Sequence, residues 1–101
     1  MPRDVKGVTV DAYVLDVLMR DLVGHDHSPS AFLVFLYLWR ETHGRRTAAV
    51  RASLQSVAHA TGLSKSAVQS ALRVLKRRRL VRAVRAHATD VPSYSLRKSW
   101  E

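Results

Sequence analysis

Ser64, Lys65, Ser66, Gln69, Ser70, Arg73 and Arg77 fall within SKSAVQSALRVLKRR, residues 64–78. These are the residue types that read nucleic acids. Arginine pairs with guanine through two hydrogen bonds, glutamine does the same with adenine, and serine reaches either a base edge or a phosphate. Their spacing puts them on one side of a helix. At roughly 100° per residue from Val68, Leu72, Leu75 and Ala71 lie within roughly 60° of the origin, and Ser66, Ser70, Arg73 and Arg77 lie roughly 140–200° away. Gln69 sits on the flank. No acidic residue occurs between Gly62 and Asp90. A merely solvated helix face usually mixes glutamate with lysine, so the composition of this row favours an anionic partner.

Other chemistries are poorly supplied. His25-Asp26-His27 has metal-ligating types but lies in a connector with no further ligand cluster, and reads as polar loop. His59 suits a surface position or a phosphate contact. The basic half of the chain has only Glu41, Asp90 and Glu101 as carboxylates, too few for a nuclease or a Ser/His/Asp arrangement. Four scattered glycines form no phosphate loop. The expectation is therefore binding without catalysis, with no cofactor and no metal.

The elements that must position the row can be read around it. Ser53 caps a helix over residues 54–61, Gly62 takes the left-handed position, and Ser64 caps a second helix from Lys65 to about Arg78. Val57, Leu63, Val68, Ala71, Leu72 and Leu75 close the pair, with small Ala58 at the close approach. After Arg77-Arg78-Arg79, residues 80–86 (LVRAVRA) read as a strand, AHATDVP as a loop and SYSL, residues 93–96, as the returning partner. Upstream, Ser28-Pro29 starts a helix that runs to about Thr42 and is apolar on all sides, so it needs cover from an N-terminal helix, a second protomer, or both. Arg45 to Ala52 reads as a loop holding one short strand at Ala49-Val50. The N-terminal helix is expected from Thr9 or Asp11 to Val23, ending before Gly24, with Val10, Val14, Val17, Leu18 and Leu22 as its apolar stripe. Residues 1–8 read as an arm.

Charge sharpens the picture. The chain has 101 residues and a formal charge of +9. Residues 1–39 carry three basic and five acidic side chains, a net of −2, and residues 40–101 carry fourteen and three, a net of +11. Such segregation is the footprint of a polyanion-binding face. The absence of cysteine, of a secretory signal and of any apolar run near ~18–20 residues points to a cytoplasmic protein outside the membrane.

GLSKSAVQSALRVL, residues 62–75, resembles the recognition segment of bacterial winged helix-turn-helix regulators, especially the GntR-like and MarR-like DNA-binding domains. The similarity covers about residues 29–97, with Ala58 and Gly62 at the spacing those families use. It implies that Ser64, Lys65, Ser66, Gln69, Ser70 and Arg73 face the major groove, and that Arg85 and His87 lie on the wing's side. Arg79 stands where such families often have glycine, so the left-handed cap there is strained or absent. No effector-binding domain is expected after Glu101, and residues 1–28 match no pattern.

The expected fold is mainly α with a small β-hairpin wing, a winged helix-turn-helix with an extra N-terminal helix. Residues 1–28 form an arm and helix that serve as a dimerisation element, and residues 29–101 form the DNA-binding domain. The expected function is sequence-specific binding of double-stranded DNA by a nucleoid-associated transcriptional regulator, a homodimer built through residues 10–39. Two rivals remain: a plasmid or phage replication initiator or partition-type DNA binder, and a winged-helix module for protein or RNA.

Overall fold

The computed structural model describes residues 7–101. Most of the arm expected over residues 1–8 lies outside them. The molecule is mainly helical with one small antiparallel sheet.

The N-terminal helix forms, but as two π-helical stretches, Val14–Leu18 and Arg20–His25. Its backbone bonds run five residues back, as in Met19 N–H to Val14 C=O and Asp26 N–H to Asp21 C=O. Widening the turn keeps a strict spacing of four on one face. Val14, Leu18 and Leu22 are therefore buried, while Val17 is only partly so. The same widening carries the helix past the expected stop: Gly24 lies inside it, and it ends at Asp26 before the left-handed His27 (φ 52°). Thr9 caps nothing; its carbonyl accepts from Trp39 Nε1 at 2.9 Å.

Helix α1, Pro29–Thr42, starts as read, with Ser28 Oγ accepting from the Ala31 N–H at 3.3 Å and proline in the first turn. Ala31, Val34, Phe35, Leu38, Trp39 and Thr42 are buried. The π-helical segment covers one side of α1, and the later helices and the sheet cover the other. Gly44 closes the helix, its N–H bonded to the Trp39 carbonyl at 3.0 Å; a Cβ there would stand 2.5 Å from the Arg40 carbonyl oxygen, so only glycine fits.

Helices α2 (Leu54–Thr61) and α3 (Lys65–Arg77) follow the short strand β1, Val50–Arg51. The hairpin is β2, Val81–Val84, with β3, Ser93–Leu96. The expected two-stranded ribbon is a three-stranded sheet in the order β1-β3-β2, because β1 pairs with the free edge of β3 through Val50↔Tyr94 and Arg51↔Ser93. Strand β2 is shorter than expected. Its pairing stops at Val84↔Ser93, and beyond that Arg85 Nη1 bonds the Ala88 carbonyl at 2.9 Å inside the loop.

Candidate nucleic-acid interface

Each helix of the α2–α3 pair is capped by its own serine. Ser53 Oγ accepts from the Ser56 N–H and Ser56 Oγ from the Ser53 N–H, both at 3.0 Å, a reciprocal capping box. Gly62 holds φ 80°, and its N–H bonds the Ala58 carbonyl at 2.9 Å. Nothing stands within 4 Å of where its Cβ would be, so the backbone angle alone requires glycine. Ser64 Oγ accepts from the Ala67 N–H at 3.1 Å and lies 3.3 Å from Ser66 Oγ. Ser64 is thus committed to starting α3, which leaves it less free to contact a base.

Burial of Val68, Ala71, Leu72 and Leu75 fixes the rotation of α3. Ser66, Gln69, Ser70, Arg73 and Arg77 are exposed, as the helical angles require, and so is Lys65. Among the described residues, no carboxylate lies within ion-pair distance of Lys65, Arg73, Arg77 or Arg85.

The hairpin stands beside the Gln69 flank of α3. Gln69, Lys76, Arg85, Pro92 and Tyr94 line a cleft of about 190 Å³, and Lys65, Arg85, Ser53, Gln55 and the carboxylate-bearing Asp90 line an adjoining one of about 310 Å³. Burial raises the Tyr94 phenol above its ordinary range, and the Arg85 charge partly opposes the shift. Lys65 also borders an open depression of about 800 Å³ with Ser53, Ser56 and His59. Lys65, Gln69 and Arg85 are therefore brought to one surface. Ser66, Ser70, Arg73 and Arg77 continue it around the helix. His87 is exposed in the hairpin loop, where its carbonyl accepts from the Asp90 N–H at 3.0 Å. Lys76 was missed from sequence although its helical angle, roughly 80° from Val68, is on the same flank as Gln69.

The three consecutive arginines separate. Arg77 stays on the outward row. Arg78 turns inward and meets Asp21 Oδ2 at 3.4 Å and Asp26 Oδ2 at 3.2 Å, tying the end of α3 to the π-helical segment. Asp26 Oδ1 also lies 2.9 Å from His25 Nδ1, so the Asp26 carboxylate is shared between Arg78 and its neighbour. Arg79 occupies the glycine position with φ 59°: the left-handed cap is present, and strained. Leu80 N–H bonds the Leu75 carbonyl at 2.9 Å and Arg79 N–H the Lys76 carbonyl at 3.0 Å, the two bonds of a Schellman ending.

Among the described residues, no group of three or more His, Cys, Asp or Glu could hold one metal ion, and no helix is long and apolar enough to cross a membrane. No protein-family model, curated protein or solved structure matches the chain.

Proposed function

We propose that this chain is a winged helix-turn-helix protein that binds duplex DNA in a sequence-specific manner as a dimeric transcriptional regulator. The observation that carries this reading is the basic surface shared by α3 and the hairpin, where Lys65, Gln69 and Arg85 are brought together with Asp90 at the edge, and Arg73 and Arg77 stand exposed, none of these cations ion-paired to a carboxylate among the described residues. In this reading α3 enters the major groove, and the hairpin loop with Arg85 and His87 follows the backbone alongside. The cations displace counterions and make affinity salt-dependent, while Gln69, Ser70 and Arg73 select bases. The work is binding, not chemistry, and its place is the nucleoid in the cytoplasm.

The dimer is proposed through the N-terminal segment. Leu15, Met19 and Val23 form a second stripe at spacing four, 49%, 43% and 38% exposed. It lies in the portion of the chain with net charge −2, so two copies can approach there without opposing their strongly cationic portions.

Selection of bound duplexes from a random library at roughly 150 mM salt tests the proposal. Enrichment of an inverted repeat, with half-sites about one helical turn apart, is the expected result. Binding with no enriched sequence would refute base readout, and preference for an A-form RNA duplex would move the function to RNA.

A further inference from the structure

The sheet has a second face, turned away from α3. Along β2, Val81 is buried and Arg82 exposed; the cross-strand partner of Arg82 is Ser95. Arg51 pairs with Ser93 on the same outward side. Beyond the strand ends the face continues through Arg79 and Arg97, whose spacing is held by the Arg97 N–H donating to the Leu80 carbonyl at 2.8 Å. Arg79, Arg82 and Arg97 converge with Ser95 and Ser99 on an open concavity of about 570 Å³.

Among the described residues, no carboxylate lies within ion-pair distance of Arg51, Arg79, Arg82 or Arg97. Two other charged residues line the concavity, Lys98 and Glu101; Lys98 lies 3.1 Å from Asp11 and 3.7 Å from Glu101, so its charge is more than offset and the cationic excess of the concavity comes from the three arginines. Arg79 carries a backbone conformation that glycine would adopt without strain. Strained positions of this kind cluster where a side chain is used, and this one delivers a guanidinium to the rim of the concavity.

The geometry points to a second nucleic-acid site here, taking the phosphate backbone of another segment of duplex DNA. Guanidinium groups bind phosphates through paired hydrogen bonds, and the serine hydroxyls supply further donors. A protein partner would want aromatic or large apolar anchors at the centre. Among the described residues, no aromatic side chain lines this concavity, and Leu96 is its only large apolar residue. A lone small anion would want an enclosed pocket, whereas this depression is open and its cations are spread along the sheet, as a chain of phosphates requires. The inference rests on the reading of the chain as a DNA binder, and it gives each protomer two separate DNA contacts: α3 with the hairpin loop, and the outer face of the sheet.

Backbone-amide NMR of the full chain titrated with a short DNA duplex separates the two. The amides of Gln69, Ser70 and Arg73 should shift and saturate first, and those of Arg79, Arg82, Ser95 and Arg97 in a second, weaker and more salt-sensitive phase. In an Arg82→Gln/Arg97→Gln variant the second phase should weaken at least about tenfold, with its salt slope reduced by about 2, while the first phase is unchanged. Unmoved Arg82, Ser95 and Arg97 amides at excess duplex would overturn the proposal, as would a larger response of those amides to poly-glutamate than to DNA. Shifts at the sheet face with a silent α3 would uphold this site and remove the α3 reading instead.

Discussion

Along α3 and the hairpin loop, Lys65, Arg73, Arg77 and Arg85 have no carboxylate within ion-pair distance among the described residues, whereas charges where the N-terminal segment meets the rest of the molecule are matched. Asp11 faces Lys98 at 3.1 Å, and Asp21 and Asp26 share Arg78 at 3.4 and 3.2 Å. Aromatic contacts accompany these pairs: Tyr13 stacks on Trp100 with ring centroids 4.7 Å apart, and Lys98 Nζ lies 5.0 Å from the centre of the Trp39 ring, a cation–π contact. One region uses its charge to close the fold, and the other leaves it available. A basic residue in this chain therefore has to be assigned from its partners, and sequence position alone is a poor guide.

The largest effect should come from the residue that joins the closing region together. Trp39 is 2% exposed, donates to the Thr9 carbonyl and packs against Phe35 and His43. Trp39→Ala is expected to cost about 3–5 kcal/mol of stability in urea unfolding. A loss under about 1 kcal/mol would mean the N-terminal segment is not part of the cooperative unit.

Arg77 and Arg78 give the sharpest contrast. Arg78→Ala leaves the buried Asp26 without its cation and should cost about 1–2 kcal/mol, discounted for the partial exposure of the pair, with little change in DNA affinity. Arg77→Ala should leave stability within about 0.5 kcal/mol and weaken DNA binding, lowering the salt slope by about 1. Equal behaviour of the two variants in both assays would break the comparison. Arg79→Gly should raise stability by about 0.5–1 kcal/mol in the same unfolding experiment, because it relieves the left-handed strain but adds backbone entropy to the unfolded chain.

The smallest effect is that of His43. Burial, with help from Lys98, holds its pKa below the ordinary value of 6.5, against the weaker pull of Asp11 and Glu101. The unfolded chain then binds the proton more readily than the folded one. Stability should be unaffected well above pH 6.5 and should decline as pH falls through that value. His43→Gln is expected to flatten the melting temperature between about pH 7.5 and pH 5.5, after allowance for the other groups.

How much of this could be read from sequence follows the range of the interactions. Ser28, Ser53, Ser64 and Gly62 act within a few residues of themselves, and they bound α1, α2 and α3 as the chain implies. The rotation of α3 followed from Val68, Ala71, Leu72 and Leu75, since a buried stripe determines its opposite. The non-local features were not readable. β1 pairs with β3 across about forty residues, so the sheet has one strand more than the hairpin alone suggests. The π-helical backbone leaves no mark in residue types, and neither does the inward turn of Arg78, which depends on where Asp21 and Asp26 arrive. The grouping of Arg79, Arg82 and Arg97 depends on strand register for the same reason.

The most direct test of base readout by α3 is the affinity of Arg73→Ala, measured in parallel on the duplex that selection enriches and on a random duplex. A loss of about 1–3 kcal/mol on the selected site, with the random duplex little affected, is the expected result for an arginine bidentate to a base. The same loss on both duplexes would reduce Arg73 to a phosphate contact and contradict readout through this row.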